Sequence, residues 1–476
     1  MSDMSELMQA VQAVSAAAPG YVRGDRFYRG EVSEVFASNL IKRLVGDSAK
    51  EYKVNLARRV VDAVLDRLKI ASVSVPGDKA ATEKLQQVWD RNHFGRSAKT
   101  LHRRTLSQGD TYVYVEADPD DENNAIAHTR SALTTRVFYD PANPNKKTHA
   151  AFVWVEGSGD KERTRVTLLY PDRVEEYISR QGTKGDEDAH FDRFYAEDQD
   201  EDEWPLPNET GEVPVFHFRT DEPYGRPEHF DAFGPQNAIN KLVGVHMGTV
   251  DFQGFPQRYR LRATAIQDGP TTTPFDDDED AGLPADGEDD GGNLDAGPGT
   301  VWDLTDTKAV GQFDAADAKN FIEGINFYAR IMGATTATPL RFMDPTGDVP
   351  SGESLRADDA PLTEKIGDRQ TWLGDEWQNM LRYMLKVVGV EVDKVKVSWR
   401  PVQIVTDTEG WSTIQAKIEA GVPREVALAE AGYRPEEIAT WVQGWDLAAQ
   451  VTAALNDGSI SAEQVAALLA GPSTGE

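Results

Sequence analysis

The 476-residue chain contains no cysteine. Thiolate nucleophiles, cysteine-ligated zinc, iron–sulfur clusters and structural disulfides are thereby excluded, a usage that fits a reducing compartment. Long apolar runs are missing as well. No stretch approaches the roughly 18 apolar residues that suggest a membrane-spanning helix, so no membrane partner is expected. The opening "MSDMSELMQAVQAVSAAAPG" carries acids where a secretion signal carries a basic region. Neither G-x-x-x-x-G-K-[ST] nor H-E-x-x-H occurs, which argues against an ATP-driven motor and a zinc protease. Positive charge is scarce: 50 Lys plus Arg stand against 80 Asp plus Glu, a net charge of −30. Affinity for duplex DNA comes mainly from Lys and Arg displacing its counterions, so contact with nucleic acid should be local or weak.

What is present reads as an α+β chain, helical to about residue 110, strand-rich over the next 110, then helical again. "VNLARRVVDAVLDRLKI" (54–70) puts Leu56, Val60, Val61, Val64, Leu65 and Leu68 on one helical stripe. "DTYVYVEAD" alternates as a strand, and "TTRVFYD", "HAAFVWVEG", "RTRVTLLY" and "VPVFHFRT" are further strand candidates. Residues 231–255 and 315–332 have helical spacing. From Leu362 through Ile366, Leu373, Trp377, Met380, Leu381, Met384 and Val388 one apolar face persists over several turns. Two acidic stretches interrupt this pattern. Residues 185–204 hold ten acids and one arginine, and residues 266–300 hold eleven acids with no Lys or Arg. The second cannot bury enough apolar surface to offset its ordering entropy and is expected to be an exposed, mobile insert.

Candidate chemistry is sparse. "DDDEDAG" resembles the start of a calcium loop, but with Asp276 first, Ala281 occupies the position that needs glycine and no glutamate sits at the twelfth. No metal site or cofactor is expected. Arg258, Arg260 and Arg262 recur at period two on one strand face, where they could meet phosphates or acidic neighbours. In "GDVPSGESLRADDAPLTEKI" (347–366), Ser351 could be a nucleophile, but no histidine can be assigned to it as a base. As a helix cap it has support: Glu353 suits the first turn, and Pro361 should kink the same helix near 358–360.

The succession "NLARRVVDAVLDRL", "LQQVWDRNHFGRSAKTLHRRTLSQGDTYVYVEAD", "NAINKLVGVHMGTV", "SGESLR" and "IEAGVPREVALAEAGYRPEEI" resembles the portal proteins of tailed double-stranded DNA bacteriophages, over roughly residues 35–440. The resemblance implies a dodecameric ring of identical subunits at the unique portal vertex of the virion, assembled in the host cytoplasm. Its channel would pass double-stranded DNA during packaging and ejection. It further implies docking of the terminase large subunit and a head–tail adaptor, contact with the major capsid protein and a scaffolding protein, and no enzymatic role. Mapped onto this chain, the wing spans 1–230, the stem helices 231–255 and 312–334, and the clip 256–311 with its insert 266–300. Residues 335–405 then hold a tunnel loop, a kinked helix and the return to the wing, and 406–476 form a helical crown. Leu340, Arg341, Phe342, Met343, Asp344, Thr346 and Asp348 become the channel-facing candidates, with Arg341 the only basic residue of the loop. Ser351 and Pro361 become the cap and bend of the helix behind it, and the arginine stripe a clip or channel surface. An acidic wall with few basic contacts suits a conduit in which duplex must slide. Two alternatives stay open: another capsid or tail-connector protein, and a serine hydrolase using Ser351.

Overall fold

In a computed structural model of the chain we describe residues 2–31, 54–180, 190–195, 204–254, 258–262, 307–312, 318–343, 352–402, 407–433, 437–442 and 445. The chain divides into two compact units. The first comprises Met1–Val32, Asn55–Gln236 and Ala329–Glu476, and the second Ser33–Val54 and Asn237–Tyr328.

The first unit begins with helices α1 (Ser2–Arg29) and α2 (Ala57–Leu65), strand β1 (Ile70–Ser74), and helices α3 (Lys79–Arg91) and α4 (Phe94–Gln108). The stripe read from the sequence is the buried side of α2, where Val60, Val61 and Val64 are inaccessible to solvent. Asp78 opens α3 by accepting a hydrogen bond from the Ala81 amide at 2.9 Å, the expected use of an aspartate before a first turn. Gly109 closes α4 at φ +105°, where a Cβ would come within 2.7 Å of the Gly225 backbone. Only glycine fits both that dihedral and that approach.

Directly after Gly109 comes β2 (Asp110–Asp118), followed by β3 (Asp121–Arg130), β4 (Thr135–Asp140), β5 (Asn143–Glu156), β6 (Arg163–Leu169), β7 (Arg173–Ser179), β8 (Phe191–Arg193), β9 (Leu206–Pro207) and β10 (Val215–Arg219). They form two antiparallel sheets. One is ordered β10-β2-β3, and the other is a meander β4-β5-β6-β7-β8 with β9 on β7. The stretch that alternates in the sequence is strand β2, and its residues Asp110–Val113 are all buried. Each face has its own cover. Val113 and Val115 join the core built by α3, α4 and the long helix Gly352–Val387, while Tyr112 joins Val137, Ala150 and Phe152 of the meander.

Helix α5 (Phe233–Gly254) leads out of the first unit, strands β11 (Arg258–Arg262) and β12 (Thr307–Gln312) pair antiparallel, and helix α6 (Ala318–Thr335) leads back. Within the second unit the two helices approach closely at Gly324, where a Cβ would lie 3.0 Å from Leu242 Cδ1. His246 and Phe321 meet at 5.7 Å between ring centroids. Ile322 and Phe327 on α6 stay 50% and 58% exposed.

After α6 come α7 (Gly352–Val387), β13 (Lys396–Trp399), α8 (Asp407–Glu419) and α9 (Arg424–Glu430), β13 pairing with β1. The apolar face predicted for α7 is its buried face: Leu362, Ile366, Leu373, Trp377, Met380, Leu381 and Met384 lie in the main core. Trp377 donates its indole N–H to His102 Nε2 at 2.9 Å. That bond needs a neutral imidazole, and burial supplies it by lowering the His102 pKa to about 4. Among the described residues no helix is long and apolar enough to cross a membrane.

Candidate channel loop and its anchorage

Helix α6 stops within two residues of Thr335 because its own threonines and the chain beyond take up its last carbonyls. Thr336 Oγ1 donates to Met332 O at 2.7 Å, and the Thr338 amide donates to Gly333 O at 2.9 Å. Ala337, between them, adopts φ +50°, a left-handed conformation unusual for a residue with a Cβ, and it reverses the chain. Pro339 then starts a single 3-10 turn, Leu340–Phe342.

The segment 336–342 is gripped at two places on α7. Downstream, Lys365 Nζ donates to Thr336 O at 2.8 Å and pairs with Glu228 Oε1 at 2.7 Å, while Arg369 Nε binds Glu228 Oε2, also at 2.7 Å. Arg369 also reaches Thr220 O at 2.9 Å. Only 2% of the Glu228 side chain is exposed. Burial is the largest influence on its carboxyl and raises the pKa, but the two cations together outweigh it and hold the carboxyl below its ordinary value. Next to it, His229 Nε2 donates to Gly24 O at 3.0 Å, and burial lowers its pKa to about 4.

Upstream on α7, Arg341 lies between Asp358, at 3.0 Å from Nη1, and Asp359, which binds Nη2. Arg67, from the turn after α2, reaches Asp359 at 3.4 Å. The Phe342 ring lies beneath both guanidinium groups, 4.9 Å from Arg341 Cζ and 5.8 Å from Arg67 Cζ. Met343 is buried, and Leu340 is the exposed residue of the turn. Arg341, the only basic residue of the loop in the sequence, has its charge matched by two aspartates within the same chain.

Asp344, Thr346, Asp348 and Ser351 lie outside the described residues, as does the insert 266–300. Pro361 sits inside α7, whose helical conformation continues on both sides of it. Arg258, Arg260 and Arg262 lie on β11 opposite Gln312, Val310 and Thr307 of β12. No cluster of His, Asp and Glu fit to hold a metal occurs among the described residues.

One arrangement resembles a catalytic relay. His217 Nε2 donates to Asp110 Oδ1 at 2.8 Å, and the Tyr139 hydroxyl donates to His217 Nδ1 at 2.8 Å. Tyr21 and the Gly225 amide also donate to Asp110. The side chains of His217 and Asp110 are fully buried and both imidazole nitrogens are occupied, so the chain of bonds locks the β2–β10 corner and leaves no atom to attack a substrate. Glu228, Lys365 and Arg369 were not singled out in the sequence. Lys365 and Arg369 are one helical turn apart, but nothing in the sequence pairs them with a glutamate on a distant loop.

The sequence profile of the family described as "Phage portal protein, SPP1 Gp6-like" matches residues 17–441. The portal protein of Mycobacterium phage D29 is 21% identical over 80% of this chain and 76% of its own length. The portal protein of Mycobacterium phage L5 is 22% identical, with the same coverage of each chain. Among solved structures, a chain in the neck of an empty gene transfer agent (GTA) particle is similar with a TM-score of 0.43 and 12% identity, over 80% of this chain and 93% of that one.

Proposed function

The chain belongs to the SPP1 Gp6-like family of phage portal proteins, and from that premise we propose that its subunits close into a dodecameric ring at one vertex of a capsid, around the channel that passes DNA during packaging and ejection. The match over residues 17–441 is the observation that carries this reading. The role is structural and not enzymatic. Terminase large subunit and head–tail adaptor dock on the ring, the capsid and scaffolding proteins surround it, and assembly takes place in the host cytoplasm. Head-to-tail contacts between two different surfaces of one subunit close into a ring when the rotation permits, and the exposed Ile322 and Phe327 offer apolar surface for such a contact.

Within the ring, residues 340–350 form the loop directed into the channel, and α7 is its support. Electron microscopy of the purified protein tests the assembly: class averages should show a channelled ring many times the 52.5 kDa subunit mass. A strictly monomeric species, in solution and in particles, overturns it. Shortening the chain between Met343 and Gly352 tests the loop. Rings should form while DNA packaging or retention fails, whereas normal packaging by intact rings removes the loop assignment.

A further inference from the structure

Beside the anchored turn, and wholly within the first unit, opens a groove of about 730 Å³. Its floor is apolar, built from Ala63, Phe342, Val402, Ile414, Ala427 and Tyr433. Its rim carries five cations, Arg59, Arg67, Lys69, Arg400 and Lys417, against three acids, Asp62, Asp66 and Glu430. Each acid is already engaged: Asp62 with Arg58, Asp66 with Lys99, and Glu430 with Lys417. Arg67 is held by Asp359. Arg59, Lys69 and Arg400 form no ion pair among the described residues.

Two of these three free cations are placed side by side. The Arg400 amide donates to Lys69 O at 2.8 Å, extending the β1–β13 ladder one step past the Ile70–Trp399 pair. Like charges facing each other across paired strands oppose folding unless an anion lies between them. A chain with a net charge of −30 has acids in excess, yet among the described residues none forms an ion pair with either of these two cations. The rim is thus complementary to an anion, while the floor is complementary to an apolar side chain.

We propose that this groove is a docking site for an acidic segment of a partner protein, one that seats a leucine-like or aromatic anchor on the floor and sets carboxylates against Arg59, Lys69 and Arg400. Phosphates of a nucleic acid would satisfy the rim but leave the floor without a ligand, which favours a peptide. The inference does not depend on ring assembly or on the channel loop. Because Phe342 belongs both to the groove and to the anchored turn, the occupant also touches the base of that loop.

The test uses the full-length protein and a fluorescein-labelled peptide alternating leucine with aspartate and glutamate, followed by anisotropy. The protein should bind this peptide at least about tenfold more tightly than a control with serine for leucine, and binding should weaken as salt rises from about 50 to 300 mM. Joint Lys69→Glu and Arg400→Glu substitution should abolish binding while leaving the melting temperature near that of the parent. Arg59→Glu, on α2, is the independent variant if the double change does not fold, and should weaken binding about tenfold. No binding by the parent, unchanged binding by a folded variant, or equal affinity for the serine control and for duplex DNA each overturns the proposal.

Discussion

The two ion clusters on α7 lie about two helical turns apart and hold the two ends of the segment 336–342, yet they are built for different duties. At Lys365 and Arg369 the shared carboxylate of Glu228 is 2% exposed. At Asp358 and Asp359 the bound Arg341 is 29% exposed and the aspartates 46% and 25%. A buried carboxylate between two cations cannot change partners without leaving a desolvated charge behind, so it fixes the backbone at Thr336 in place. A half-exposed guanidinium can exchange one anion for another at small net cost. The loop base therefore has one fixed attachment and one that a competing polyanion or salt can loosen.

Acid should separate the two most strongly. The folded-state pKa values of His229 and His102 are about 4, below the ordinary 6.5. The unfolded chain takes up the proton first, so each contributes stability that is complete above pH 6.5 and is lost as pH falls towards 4. The loss amounts to about 3 kcal/mol per histidine at pH 4. Burial is the main reason that protonation of His229 is costly, and among the described residues its Nδ1 has no hydrogen-bond partner. The melting temperature should decline through this window, before carboxylate protonation dominates, and His229→Gln should flatten the decline. A flat profile in the parent would mean that the surroundings of Glu228 are not dry.

Next in size is Glu228→Gln, which leaves Lys365 and Arg369 facing a neutral amide. Urea unfolding should show a loss of about 3 kcal/mol. A loss below about 1 kcal/mol would place the buried cluster in the same class as the exposed one and erase the contrast.

The smallest effect is expected for Arg341→Ala. It should cost under about 1 kcal/mol, because both aspartates regain water and the clamp is already screened by salt. Hydrogen exchange is the sharper measurement. The amides of Phe342 and Met343, bonded to Pro339 O and Leu340 O, should exchange faster in the variant, while that of Thr338, bonded to Gly333 O, should not. Equal acceleration at all three would show that Arg341 anchors the whole reversal.

Much of the scaffold under this contrast was legible in the sequence, because it rests on periodicity. The apolar residues from Leu362 to Met384 read at helical spacing on α7 lie in the core, and β2 spans the nine residues of the stretch that alternates as a strand. Strand β3 was not read, since "DENNAIAHTR" opens with four turn-favouring residues and becomes a strand by pairing with β2 over most of its length. Strand β7 hid its burial too. Glu175 faces inward and is buried because the Tyr177 hydroxyl and Arg173 satisfy its carboxylate. The second face of β2 was illegible for a related reason: alternation reports one buried side, and what covers the other is decided by the meander that follows. At the loop base, composition identified Arg341 as the lone cation but could not reveal that Asp358 and Asp359 lie within reach.

The core of the first unit joins Val61, Val113 and Phe218 to Leu362, Trp377 and Val395. Between those two sets the chain makes a complete excursion through the second unit. During synthesis from the N-terminus, the sheet β10-β2-β3 emerges with its apolar underside covered only in part, by α3 and α4, and stays so until α7 follows. A polypeptide ending anywhere before α7 should therefore be a substrate for chaperones and proteases and not a smaller stable domain. The sequence in between can lengthen or shorten with little thermodynamic penalty to that closure, because the cost of bridging two core segments rises only with the logarithm of the intervening length.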